Sequence, residues 1–340
     1  MKKNSPIIII LTMFISVIEL KAQKNELFIS KMTAVNPVSY TDVIFIGEKD
    51  TVLVSTYSGR ISKIIKGKQK EKVISQLGDE IYLLSYNSTK KHIAASTLEN
   101  GIVIVSEING KVIRKLPLIQ TWSLRMGYSG DSKLLFANDQ RGNRFIWDAT
   151  NNYSPVSLPP TFPEGIIYSI EKNVITLISA KKITKWDHKT QIAIQEIPNS
   201  VTRIVDIDSS NNILSIDFNV CKLYSSNENK ELFTFKHPSW LRSAESIGGE
   251  DAARTYGIEI KDGYFEDTDY QMALTSAKFG RDKVFTSSID RSIRIWDKYT
   301  GQLLMAITGH KGTVNKIKVS PDKLQLVSID LKGGIQFTQI

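Results

Sequence analysis

Short runs rich in β-branched and aromatic residues, separated by polar hinges, recur along the whole chain. The clearest example is Val284-Phe285-Thr286-Ser287-Ser288, a polar hinge at Asp290-Arg291, and then Ile293-Arg294-Ile295-Trp296-Asp297. A second hinge carrying Gly301 leads into Leu303-Leu304-Met305-Ala306-Ile307. This pattern predicts three short antiparallel strands. The same unit can be laid down earlier in the chain by aligning each third strand on Trp296-Asp297. Val43 to Ile46, Thr51 to Thr56 and Gly59 to Ile65 form one set, and Glu80 to Leu84, His92 to Ser96 and Gly101 to Ser106 form the next. Asn109-Gly110 follows as a hairpin signal, because both residues tolerate the positive φ of a type I′ turn. Further copies end at Trp147-Asp148, at Trp186-Asp187 and, in degenerate form, at Tyr224-Ser225. Anchors at 65, 106, 148, 187 and 225 are separated by roughly forty residues each.

The order Ser288, Asp290, Ile293, Ile295, Trp296-Asp297, then Gly309-His310, resembles the WD40 repeat in a divergent form. The resemblance implies an all-β chain folded as a β-propeller of four-stranded blades, and counting the units along the chain gives seven blades, with eight as the alternative. It further implies that Glu26 to Ser30, which have no blade of their own, supply the outer strand missing from the last blade and so close the ring. In that family a buried His, Ser or Thr, Asp and Trp tie a blade's loop to its strands. Ser288, Asp290 and Trp296 match this set, but no Gly-His precedes them. Gly309-His310 precedes the last blade, where Asp330, Lys332 and Thr338 occupy the Ser, Asp and Trp positions. Trp147, Asp148, Trp186, Asp187 and Asp297 take structural positions on the same grounds.

The interval from Ser225 to Asp297 is too long for one blade and short for two. The excess falls at about 240–269, an acidic insertion with eight carboxylates against Arg242, Arg254 and Lys261. Tyr256 to Ile260 and Gly263 to Phe265 flank Asp262 there, which predicts a small hairpin. Glu266, Asp267 and Asp269 offer hard oxygen ligands to Ca²⁺, although a solvated loop is the plainer reading.

Residues 1–22 combine a basic start, an apolar run from Ile7 to Ile18 and Ala22 near the end, the pattern of a signal peptide. The expectation is an exported propeller over 23–340, periplasmic or extracellular, with envelope association. The single cysteine, Cys221, permits no intramolecular disulfide and reads as a buried strand residue. Net charge is +9, or about +7 without the leader. Such a surface suits acidic partners, anionic glycan or lipid among them. Export argues against nucleic acid.

Enzyme signatures are scarce. His92, His188, His237 and His310 stand alone in the sequence, and no Gly-x-Ser-x-Gly elbow or phosphate-binding glycine loop is present. The leading reading is therefore a non-catalytic, cofactor-free monomer that serves as a protein-protein interaction platform. A metal- or quinone-dependent hydrolase or oxidoreductase with a channel site is the alternative. Candidate partner-binding residues are Trp240, Tyr256 and Tyr264 of the insertion, and the basic turn residues Arg141, Lys181, Lys182, Arg291 and Lys332, which a propeller would gather on one face.

Overall fold

The computed structural model describes residues 39–340 except 69, 119–120, 238–239 and 268–271, and for residues 48, 49 and 240 only the backbone. Within these residues seven antiparallel sheets follow one another as meanders. Blades 1 to 6 (40–76, 81–116, 123–155, 166–198, 204–236 and 274–307) have four strands each, and blade 7 (314–339) has three. The outer partner expected for blade 7, Glu26 to Ser30, lies outside the described residues, as does the leader at 1–22. The third strands end at Ile65, Ser106, Asp148, Asp187, Ser225, Asp297 and Gln339, which is the repeat anticipated from the sequence.

The first strands, Tyr40–Ile46, Ile81–Asn87, Ser123–Tyr128, Ile166–Glu171, Ile204–Ile207, Leu274–Phe279 and Val314–Val319, pack against one another and form the inner wall. Because the strands alternate in direction, the turn between second and third strands lies on the face where each inner strand begins, together with the connection between blades. We call this the entry face.

No blade has a core of its own. Seven apolar clusters lie between neighbouring blades. Ile46 and Leu53 meet Ile81 and Ile93 between blades 1 and 2; Ile102 and Ile104 meet Leu135 and Trp147 between blades 2 and 3. The series continues to Phe285 and Ile295 against Val314 and Leu326 between blades 6 and 7. Tyr40, Val43 and Val54 against Val327 and Ile329 then join blade 7 to blade 1. The ring is thus closed by face-to-face burial within the described residues. Asn315 Nδ2 reinforces the junction by donating to the carbonyls of Tyr40 and Thr41 at 3.2 and 3.0 Å, and Gln325 Nε2 donates to Asp50 Oδ1 at 2.8 Å.

The segment between blades 5 and 6 is an appendage on the entry face, and its described residues form a two-stranded sheet and not an eighth blade. Tyr264–Asp267 pairs with Trp240–Ser243 across the segment. The expected hairpin is present only as its turn: Lys261 and Tyr264 exchange both backbone hydrogen bonds, at 2.8 and 3.0 Å, around Asp262-Gly263, whereas residues 258–260 have no regular structure and Glu250–Thr255 is a helix. Its start is set by Gly248 and Gly249, with φ of 102° and 92°, a backbone that residues with a Cβ rarely adopt. Glu250 and Asp251 at its first turn and Arg254 at its last suit the helix dipole. Glu266 pairs with Lys236 at 2.9 Å and Asp267 with Arg242 at 2.9 Å, so both carboxylates of the Ca²⁺ reading that are described here serve ion pairs.

The layer between blades 7 and 1 should be as costly to disturb as any interior one. Ile329→Ala is expected to lower the unfolding free energy by about 2–5 kcal/mol, whereas Ile108→Ala, at an exposed turn, should change it by less than about 0.5 kcal/mol. Equilibrium urea denaturation checks both, and equal midpoints for the two variants would contradict closure by this layer.

Candidate functional site

Two polar constellations stand out: clamps that fasten blades to the connections, and the mouth of the channel. In blade 6, Trp296 donates its Nε1–H to Thr286 Oγ1 at 2.8 Å, and the same oxygen lies 2.6 Å from His237 Nε2. Asp290 Oδ2 sits 3.8 Å from His237 Nδ1, with the Arg294 guanidinium bonded to both. The missing partner is therefore present: His237 fills the histidine role from the far side of the insertion, without a preceding glycine. The hydroxyl is Thr286 and not Ser288, whose Oγ donates to the Met272 carbonyl at 3.0 Å. Thr286 points into the sheet at the register opposite Arg294, two residues from Trp296.

Blade 7 repeats the clamp with one substitution. His310 Nε2 lies 2.7 Å from Ser328 Oγ, and Nδ1 lies 2.9 Å from Asp330 Oδ2. Ser328, not Asp330, is thus the hydroxyl, and Asp330 takes the acidic role in place of exposed Lys332. Thr338 does stand where Trp296 stands. The aspartates after the tryptophans have a different task. Asp148, Asp187 and Asp297 each accept backbone N–H groups of the next turn, from Thr150 and Asn151, from Lys189 and Thr190, and from Tyr299 and Thr300. Ser106 and Ser225 do this with a hydroxyl where the aspartate is absent, and Trp147, Trp186 and Trp296 are buried.

At the channel, each inner strand slips by one residue against its neighbour, at Thr41, Tyr82, Leu124, Tyr168, Val205, Thr275 and Asn315. Such a bulge frees a carbonyl from the ladder. Side chains from adjoining blades bind several of them: Arg125 Nε donates to Tyr168 O at 2.9 Å, with its guanidinium 3.6 Å from the Tyr168 ring centre, and Lys278 Nζ lies 3.3 Å from Val205 O. Lys278 also pairs with Asp206 at 2.8 Å, and Lys316 lies 3.8 Å from Asp42 Oδ1. Lys318 adds a fourth cation. It is half-buried, on the same side of its strand as Lys316. Burial pushes its amine down to about 8, Asp42 opposes, and Lys278, Lys316 and Arg125 add to the fall.

On the entry face beside this mouth, Tyr57 meets Tyr82 edge-on at 5.9 Å and Tyr82 stacks on Trp122 at 5.3 Å, a row across blades 1 to 3. Leu124, next in line, is 60% exposed, and Phe218 across the ring is 59% exposed. Sequence reading missed this row, since its members belong to a turn, a bulge and a connection; the aromatic at the start of an inner strand was the only signal. Of the residues singled out beforehand, Tyr256 and Tyr264 are exposed on the insertion at 71% and 50%, and the side chain of Trp240 lies outside the described residues. Arg141, Lys181 and Lys332 are exposed at turns on the entry face, Arg291 is half-buried there, and Lys182 pairs with Glu196. Buried Cys221 has its thiol pushed up by burial and by Asp206. Among the described residues no three His, Cys, Asp or Glu side chains converge as metal ligands.

No protein-family profile matches the chain, and no curated protein matches it in sequence. Solved structures do. The WD40 β-propeller domain of Doa1 superposes with a TM-score of 0.61 at 14% identity, over 89% of this chain and 93% of that one. The WD40 repeats of RRP9 give 0.60 at 14%, over 86% and 87%. U3-55K gives 0.61 at 14%, over 86% and 88%. At this identity the likeness establishes the fold: a divergent WD40-type seven-bladed propeller.

The clamps carry a pH signature. Burial holds the His237 imidazole below its ordinary range, Asp290 opposing and Arg294 adding to the depression. The unfolded imidazole takes up a proton below about pH 6.5 while the folded one resists, so stability present above that pH is lost as pH falls. Asp330 is held down to about 2, where burial is outweighed by His310 and the Gly334 and Lys332 amides, so its contribution disappears between about pH 4 and 2. Melting scans from pH 7.5 to 5.5 should show a fall in Tm that is diminished in His237→Gln. An identical fall in both proteins would remove His237 from this role.

Proposed function

We propose that the chain is a non-catalytic protein-interaction platform that engages its partner on the entry face, between the insertion and the aromatic row. The observation that carries this reading is the row Tyr57, Tyr82 and Trp122 with exposed Leu124, set beside the cationic channel mouth. Aromatic anchors with one face exposed and one face supported are the residue types that dominate binding energy at protein interfaces. They sit here on strands and turns held by the ring, so little ordering is required when a partner docks. The insertion extends the same face with Leu241, Tyr256 and Tyr264, all exposed. Its acidic residues lie against a basic body, which gives a partner two electrostatic landmarks that set orientation. In this reading residues 1–22 direct export, and the platform works in the envelope or outside the cell.

Leu124→Arg alters the row at an exposed position and should leave the fold intact. Quantitative affinity purification from the producing cell is expected to recover specific partners at least about tenfold less well with Leu124→Arg, the loss of a central contact. Ile108→Arg, on the opposite face, should recover them as the wild type does. Loss confined to Ile108→Arg would move the interface away from the entry face.

A further inference from the structure

We propose that the central channel holds one small oxyanion of the phosphate class, gripped between Arg125 of blade 3 and Lys318 of blade 7. Four cations enter this part of the channel, Arg125, Lys278, Lys316 and Lys318, against two carboxylates, Asp42 and Asp206. Lys278 is committed to Asp206 at 2.8 Å, and Lys316 is the nearest cation to Asp42 at 3.8 Å. Asp42 Oδ2 accepts the Leu84 amide at 2.8 Å, which tucks this carboxylate between blades 1 and 2. The surplus is then two positive charges on Arg125 and Lys318. The Lys318 amine makes no hydrogen bond or ion pair among the described residues, and the Arg125 guanidinium is held by Tyr168, through its carbonyl, its ring and its side-chain oxygen, with no carboxylate partner among the described residues.

A narrow channel with low-dielectric walls concentrates the field of such a surplus, and Lys318 registers it: the cations of blades 3, 6 and 7 all act on its amine. A dianion at this point would match the surplus in charge. A guanidinium held flat by stacking presents its edge to two oxygens at once, and an ammonium adds a point charge from the other side; this is the pairing that phosphate favours over chloride. The chemistry is shared by free phosphate and by the phosphoryl group of a slender monoester, and the two are separated by experiment.

Calorimetric titration of the folded chain at constant ionic strength, with sodium phosphate and separately with glycerol phosphate, tests the assignment. The expected result is saturable one-to-one binding of at least one of them, weakened at least about tenfold in Lys318→Met and in Arg125→Gln. Lys318→Arg, which keeps the charge, should restore binding, and Lys332→Gln on the surface should leave it unchanged. Binding of the ester alone would name a phosphomonoester as the source, and binding of both would name free phosphate as sufficient. Absence of saturation with either compound up to millimolar concentration, or binding unaltered in both Lys318→Met and Arg125→Gln, would overturn the proposal.

Discussion

The structure depends on apolar layers that are shared, each completed only when two neighbouring blades face one another. A four-stranded sheet exposes two faces, and a single blade can bury neither. Seven shared layers in a circle bury both faces of every blade, including the pair formed by blade 7 and blade 1. This accounts for the tolerance of the repeat to decay. Blade 1 ends its third strand with Ile64-Ile65, blade 2 with Val105-Ser106 and blade 5 with Tyr224-Ser225, yet each supplies apolar side chains to two layers. The tryptophan is one way of filling a layer; the volume is the requirement.

Polar groups then fix what burial leaves loose. The inner-strand bulge recurs in all seven blades, so it belongs to the geometry of a strand that bends around a channel. Its freed carbonyls need donors, and Arg125, Lys278 and Asn315 provide them from adjoining blades. The same side chains that stitch the wall thus line the channel, and structural duty and surface charge become inseparable there. The clamp at His237 shows how a long insertion is accommodated. Its histidine and its first strand flank the added residues, so blade 6 is fastened before the insertion begins and again after it ends. Lengthening a surface connection adds little closure entropy.

The two faces consequently differ. The opposite face is built of short turns capped by Asp148, Asp187 and Asp297, whereas the entry face gathers the inter-blade connections, the insertion, the aromatic row and the channel mouth. A rigid ring that collects irregular chain on one side separates the residues that recognise from the residues that support.

From the amino-acid order alone came the strand units, their period of about forty residues, the seven blades and the basic turns of one face. All of these rest on local rules, the alternation of side chains along a strand and the backbone preferences of turn residues. Only the closed ring decided which groups meet. Thr286 and His237 are 49 residues apart; Tyr57, Tyr82 and Trp122 come from three blades; Arg125 and Lys318 reach the same channel from blades 3 and 7. Such pairings follow from the angle between neighbouring sheets and from the circuit they complete, and neither quantity is written in any local stretch of the chain.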